Sequence, residues 1–303
     1  MKRILVTGGA GFIGAHIVRK LLETGNEVVV LDDLTSGKLE NIPKAATFIK
    51  CSILDGEAVR RALEGADACI HLAAVSSVER CRRHLTASHA INITGFLTLI
   101  ETLAAARADL PLVYASSAAV YGASQDLPLS ESGLCAPLSP YGADKLSCEL
   151  HARSAYEVYG ISSIGLRFFN VYGPGQDPSS PYSGVIAKFV QRLKGGEAIT
   201  INGDGCQTRD FVYVGDVVEA LVRAVGRFQK GSTIINVCSG TETSINDLAR
   251  IMIEETGSAS TVRHTEGLPG EVRRSQGSVE TLRATLDYAC QTDLRAGLSQ
   301  LLR

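Results

Sequence analysis

Apolar residues along this chain follow two alternating rhythms. Short runs at residues 4–6, 28–31, 47–49, 69–72, 112–115 and 163–166 are dominated by aliphatic and β-branched side chains. A strand with one wet face would alternate apolar with polar residues, so these runs predict strands buried on both faces. Between them, residues 11–24, 55–64, 87–106 and 140–159 are helix candidates, the last ended by Gly160. Strand–helix alternation of this kind predicts a parallel sheet covered by helices on both faces, a doubly wound α/β domain.

After about residue 170 the rhythm changes. GPGQDPSSPYSG, residues 173 to 184, is too rich in Gly, Pro and Ser for a regular element. A helix over 185–194, a short strand over 199–202 and a loop GDGCQTRD over 203–210 follow. Residues 214–225 and 233–237 then predict a helix and a strand that rejoin the sheet. The expected division is a larger domain over 1–170, with a returning segment near 214–238, and a smaller, discontinuous lobe drawn mainly from 171–303.

Composition narrows the partners. The 303 residues are 45% hydrophobic and 20% charged, values of a globular chain with a sizeable core. A net charge of -2 with no basic stripe makes nucleic acid and anionic membrane poor partners. The densest basic cluster, Cys81-Arg82-Arg83-His84, reads as a solvated helix face. Eight cysteines include no CxxC pair and no zinc spacing with the six histidines, so no metal site is expected. The opening MKRILVTGG lacks the features of a signal peptide, and no apolar run approaches the roughly 20 residues of a membrane helix. Reduced thiols in the cytoplasm are the expectation.

The first strand is followed by TGGAGFIG, residues 7 to 14, which reads as Gly9-x-Gly11-x-x-Gly14, or from Gly8 as GxxGxxG. In either frame the glycines permit a tight turn and let a pyrophosphate approach the helix N-terminus. Placement inside a strand–helix–strand unit turns a weak pattern into a strong one. The second strand ends at Asp32, 18 residues past Gly14, where a carboxylate can accept both ribose hydroxyls and repel a 2′-phosphate. The cofactor expected is therefore NAD, and the sheet a Rossmann sheet. SPYGADK, residues 139 to 145, adds a helix start with Ser139 as cap and Pro140 at its first position. Tyr141 and Lys145 lie one turn apart on the same face.

Taken in order, TGGAGFIG, HLAA (71–74), SSAAVYG (116–122), SPYGADK, LRFFNVYGPG (166–175) and GDGCQTRDFVYVGDVV (203–218) resemble the nucleotide-sugar epimerase/dehydratase family. This is a branch of the extended short-chain dehydrogenases/reductases. The resemblance implies a catalytic set of Ser117, Tyr141 and Lys145. A free tyrosine is almost wholly neutral at pH 7; the lysine charge and the positive nicotinamide ring would favour its phenolate, which can take a sugar hydroxyl proton. The resemblance further implies NAD contacts from Gly8, Gly11, Phe12, Ile13, Gly14, Asp32, Asp33, Ser36, Ser52, Ile53, Leu72, Ala73, Ala74, Asn92, Tyr141 and Lys145. Substrate contacts would come from Ser77, Ser117, Asn170, Gly184, Val185, Asn202, Arg209 and Ser275, and a homodimer would form through the helices at 87–106 and 140–159.

Family dehydratases carry an Asp-Glu pair directly after the catalytic Ser/Thr, and decarboxylases usually a Glu nearby. Here Ala118 and Ala119 stand there, with no proton to give or take. Oxidation and reduction at a single carbon, the chemistry of a 4-epimerase acting on a UDP-hexose, is the implied activity. Ser275 matches a gate that is tyrosine in enzymes restricted to UDP-glucose and UDP-galactose; a small side chain leaves room for a 2-acetamido group. Three positions depart from the pattern. Leu268 replaces a second diphosphate arginine, for which Arg273 and Arg263 are alternatives, Ser52 replaces an Asp that contacts the adenine, and Gly175 replaces a frequent Arg. The competing readings are a 4-ketoreductase or dehydratase of the same family and a non-catalytic NAD-binding regulator on the same fold.

Overall fold

The structure is a computed structural model that describes residues 1–177, 184–267 and 270–302. In chain order it runs β1 (Arg3–Thr7), α1 (Phe12–Glu23), β2 (Glu27–Asp32), β3 (Thr47–Lys50), α2 (Gly56–Leu63), β4 (Ala68–His71), α3 (Val78–Arg83), α4 (Leu85–His89), α5 (Gly95–Ala106), β5 (Leu112–Ser117) and α6 (Pro140–Tyr159). There follow β6 (Ser163–Phe168), β7 (Asn170–Tyr172), α7 (Val185–Lys194), β8 (Ile199–Asn202), β9 (Thr208–Tyr213), α8 (Val214–Gly226), β10 (Ser232–Val237), β11 (Glu242–Ser244), α9 (Ile245–Thr256), β12 (Val262–Thr265), α10 (Glu280–Leu286) and α11 (Leu294–Leu302).

The apolar runs became a seven-stranded sheet in the order β10-β6-β5-β4-β1-β2-β3, every pairing parallel. Its inner strands are buried on both sides, which is why they carry no polar alternation. One face packs on α1, α8 and α10 through Ile17, Val18, Leu21, Leu221 and Leu282; the other packs on α2, α5 and α6 through Val59, Phe96, Leu99 and Cys148. The expected return of 233–237 to the sheet is met by β10 pairing with β6.

A third apolar core gathers Tyr172, Ile186, Phe189, Ile199, Phe211, Leu248, Met252 and Leu298. Around it lie a three-stranded sheet, β11-β9-β7, and the parallel pair β12-β8. The expected loop at 203–210 is cut short, because β9 already begins at Thr208 and is held between β7 and β11. Of the irregular segment 173–184, residues 178–183 lie outside the described residues, as does Leu268.

The helix expected over 87–106 begins earlier and is not uniform. Leu85–Ala106 is continuous, but residues 90–94 form a turn of π-helix between α4 and α5. At 22 residues it passes the length and apolarity test for a membrane span, yet Phe96, Leu99, Ile100 and Leu103 are packed against the sheet. It is a core helix with one open face. All eight cysteines are free thiols.

Candidate active site

The glycine turn is fixed by backbone contact. Gly8 has φ +71°, and a Cβ there would lie 2.6 Å from the Ala73 nitrogen; a Cβ on Gly14 would lie 2.1 Å from the Gly8 carbonyl oxygen. The turn, the start of α1 and the exit of β4 thus touch through main chain, which only glycine allows. α1 opens at Gly11 without a side-chain cap. The first-turn amides, those of Phe12 and Ile13 among them, lack intrahelical acceptors and sit at the positive end of the helix dipole, a fit for a pyrophosphate.

Asp32, 8% exposed, ends β2 beside this turn. Its carboxylate accepts from the Ala10 amide at 3.0 Å and the Leu34 amide at 2.8 Å. Burial raises its pKa from the ordinary carboxylate value, and the two amides oppose that rise. Asp33 accepts from the Thr35 amide at 2.8 Å, and Ser36 is exposed. Past β3, Ser52 accepts from the Leu54 amide at 3.3 Å, while the buried Ile53 fills the space left by Gly95.

Leu72, Ala73 and Ala74 leave β4 half-buried. The Ala73 amide donates to Thr7 Oγ1 at 3.3 Å, and that hydroxyl pairs with His71 Nδ1 at 2.8 Å. Burial first, then the charge of Lys145, lowers the His71 pKa to about 3, so the ring is neutral. Asn92, in the π turn, completes the link. Its Oδ1 accepts from the Val75 amide at 2.8 Å, and its Nδ2 donates to the Val75 carbonyl at 3.3 Å and to Asp144 Oδ2 at 3.2 Å. Asp144 also pairs with His89 Nδ1 at 2.8 Å. A π turn at a functional position is a recurrent device; here it inserts Asn92 between the β4 exit and α6.

α6 starts as its sequence requires: Ser139 Oγ accepts from the Gly142 amide at 3.1 Å, and Pro140 occupies the first turn. A Cβ on Gly142 would lie 2.6 Å from the Ala119 carbonyl oxygen, so α6 presses on the turn that follows β5. Ser117 caps that turn, its Oγ accepting from the Ala119 amide at 3.2 Å. Lys145, 4% exposed, donates to the Ala115 carbonyl at 2.7 Å, with Nζ 5.9 Å from the centroid of the Tyr141 ring. Ser117, Tyr141 and Lys145 are gathered at one end of β5. Ser77 caps α3, accepting from the Arg80 amide at 3.0 Å.

The remaining expected residues lie around the third core. Asn170 opens β7 exposed, Gly184 is the N-cap of α7, and Val185 is its first residue. Asn202 ends β8, where its Oδ1 accepts from Thr265 Oγ1 at 3.0 Å. Arg209 donates to the Thr208 and Val272 carbonyls at 2.7 and 2.8 Å and to Glu271 Oε1 at 3.1 Å. Burial lowers its guanidinium pKa, against the pull of Glu271. Ser275 is buried. Arg273 makes a bidentate pair with Asp204, both bonds 2.8 Å, and Arg263 is exposed on β12.

Sequence reasoning passed over several residues that organise this site. Besides Thr7, His71, Asp144 and His89, these include Asp210, fully buried, which accepts from the Ser239, Gly240 and Gly277 amides and from Ser239 Oγ. It pins the segment that carries Ser275. A lone acid in an apolar stretch, DFVYV, was the available signal. Among the described residues no group of three His, Cys, Asp or Glu converges as a metal site.

A glycine turn feeding an uncapped helix, an acid closing the second strand and a Tyr–Lys pair at the fifth define a dinucleotide-binding enzyme of the doubly wound class. Comparison with known proteins sharpens this. Residues 4–238 match the model of the NAD dependent epimerase/dehydratase family. A putative UDP-glucose 4-epimerase of Methanocaldococcus jannaschii is 36% identical over 99% of this chain and 97% of its own. A UDP-glucose 4-epimerase of Thermotoga maritima, solved with UDP-glucose, superposes with TM-score 0.94 at 36% identity, covering 99% of this chain and 97% of its own. A UDP-N-acetylglucosamine 4-epimerase of Methanobrevibacter ruminantium, solved with UDP-N-acetylmuramic acid, gives 0.94 at 35% identity with the same coverage. The chain belongs to the NAD-dependent epimerase/dehydratase family. Its relatives also include a UDP-N-acetyl-alpha-D-glucosaminuronate decarboxylase of Bacillus cytotoxicus at 32% identity over 87% of this chain, so family membership alone leaves the reaction open.

Proposed function

We propose that this protein is a nucleotide-sugar 4-epimerase that inverts C4 of UDP-hexoses through a transient 4-keto sugar. The observation that carries the reading is the turn after Ser117. It presses on the start of α6 beside Tyr141, yet offers only Ala118 and Ala119, so this turn supplies no acid–base pair for dehydration. The chain's own residues divide the remaining work. Tyr141 takes the proton of the 4-hydroxyl and later returns it, Lys145 supports the phenolate from its anchor on Ala115, and Ser117 hydrogen-bonds the reacting oxygen. The glycine turn and Asp32 would hold NAD, which would supply the hydride chemistry at C4. Asn170 and Arg209 hold the diphosphate while the keto sugar turns, Gly184, Val185 and Asn202 border the base, and Ser77 faces the sugar. Residues 1–170 with 214–238 form the NAD-binding domain in this reading, and most of 171–303 the nucleotide-sugar lobe.

The small side chain of Ser275, at the position that the family resemblance makes a gate, supports acceptance of 2-acetamido sugars, UDP-GlcNAc and UDP-GalNAc, alongside UDP-glucose and UDP-galactose. A panel of nucleotide sugars incubated without added NAD, with products resolved by NMR, tests both claims. We expect interconversion at C4 with no net NADH; stoichiometric NADH, or loss of water or carbon dioxide, selects another reaction. Ser275→Tyr should remove activity on the acetamido pair alone, and equal loss on both pairs would refute the gate. A second copy of the chain is the proposed partner. Leu85, Leu150, Val158 and Tyr159 are exposed on the open faces of the helices containing 85–106 and 140–159, and sedimentation of the purified protein would show the dimer.

A further inference from the structure

Three residues on α6 stand at four-residue intervals and share one stripe: Tyr141, Lys145 and Glu149. A lysine and a glutamate so spaced ordinarily attract each other. Among the described residues Lys145 makes no ion pair; its ammonium goes to the Ala115 carbonyl. Glu149 is turned away by Arg167, which reaches it from β6 with Nε at 2.9 Å and Nη2 at 2.7 Å. Both side chains are almost fully buried, 4% and 6% exposed. The register of the sheet explains the meeting, since Arg167 lies opposite Ser116, whose hydroxyl donates to Glu149 Oε1 at 2.5 Å.

Arg167 is itself held from three sides. Its guanidinium lies 4.7 Å from the centroid of the Tyr121 ring, and it donates to the Glu131 carbonyl at 3.4 Å and to Cys135 Sγ at 3.3 Å. Facing the pair or Lys145 are Tyr114 on β5, His71 on β4 and Cys81 on α3, and on α6 itself Asp144 and Cys148.

We propose that Arg167 is a positioning residue for the reaction: it occupies Glu149 so that the Lys145 charge acts on Tyr141. This rests on the epimerase reading for its activity readout. A buried carboxylate one turn from Lys145 would otherwise draw the ammonium off Ala115 and neutralise it. The Glu149–Ser116 bond adds a second tether between α6 and β5, beside the Lys145–Ala115 bond. Together they fix the helix that bears Tyr141 against the strand that bears Ser117.

The test is a charge series read by pH. Arg167→Met frees Glu149; kcat should fall about tenfold or more, KM should change little, and the acid limb of kcat should move up by on the order of one pH unit. Glu149→Gln leaves Arg167 unopposed and should move that limb down. The neutral double variant should return the limb to the parental position, with kcat within about threefold of the parent. Shifts in the same direction for both single variants, no shift in either, or a double variant no better than Arg167→Met would overturn the proposal. Should Arg167→Met prove insoluble, Glu149→Gln and the double variant carry the same comparison. The tyrosinate absorbance that Tyr141→Phe removes gives a readout independent of turnover. It should appear at higher pH in Arg167→Met and at lower pH in Glu149→Gln. If the parent epimerises no sugar yet shows these displacements, the positioning stands and the epimerase reading falls.

Discussion

The two ends of the site are built from different materials. Around the glycine turn the work is done by main chain and by polar groups almost sealed from water: Thr7 is 0% exposed, Asn92 2%, His71 4% and Asp144 5%. Around the third core it is done by side chains in partly open ion pairs. Arg209 and Glu271 keep 17% and 27% of their side chains exposed, Arg273 and Asp204 55% and 56%. A sealed backbone cradle suits one invariant ligand, whereas exposed arginines held by carboxylates can be re-aimed by single substitutions. In the proposed epimerase, cofactor identity would be written into the packing, and substrate identity into more replaceable side chains.

The comparison breaks most sharply with an added methyl group. In Gly14→Ala the new Cβ would lie 2.1 Å from a backbone oxygen that cannot move without displacing the whole turn. We expect loss of bound NAD and of about 1–3 kcal/mol of stability, as overpacking in a filled interior costs. In Gly184→Ala the Cβ meets, among the described residues, nothing nearer than 3.6 Å, the Gln176 side-chain amide nitrogen, and NAD content should stay at the parental value. Absorbance of bound dinucleotide in the purified proteins, with urea unfolding, checks the pair. Equal tolerance of both would show that the cradle is not sealed as described.

Charge removal gives the converse, smaller effect. Arg209→Ala deletes the candidate diphosphate clamp and leaves Glu271 without its partner. KM for the nucleotide sugar should rise roughly 10- to 150-fold, the worth of a hydrogen bond to a charged group, while NAD stays bound. Arg209→Lys should recover little, because a lysine lacks the forked geometry. A KM within twofold of the parent would move the diphosphate away from β9.

The same difference decides what the sequence could tell. The inner strands were legible because burial on both faces leaves an unmistakable apolar run, and the cofactor turn because glycine spacing reflects backbone geometry directly. The lobe around the third core hid itself. β12 reads VRHT and is exposed throughout, so it carries no burial signal at all. The π turn at 90–94 was invisible because α and π turns share an apolar pattern over so short a span. Glu149 and Arg167 were each present in a quoted or adjacent motif, but their pairing depends on the β5–β6 register that sets Arg167 opposite Ser116 and on how α6 crosses those strands, which no local pattern records. The candidate nucleotide contacts rest on family resemblance alone.

Acid probes the contrast through stability instead, and the sign follows from the direction of each pKa. His71 is lowered from its ordinary value near 6.5 to about 3, so between those pH values the unfolded chain binds a proton that the folded chain refuses. Stability is complete above about 6.5 and falls with pH through that window, by up to about 1.4 kcal/mol per pH unit for one proton. On β11, beside the third core, Glu242 is lowered from 4.5, first by its bond from Arg274, so its contribution persists above 4.5 and is lost only below it. The cofactor side should therefore weaken first as pH falls from 6.5 to 4.5. In His71→Gln the site keeps an amide to meet Thr7 but has nothing to titrate, and the slope over that interval should flatten by close to one proton. Urea unfolding at half-unit pH steps measures it. An unchanged slope would mean that the imidazole is protonated in the folded protein, and that the cradle beside it admits water.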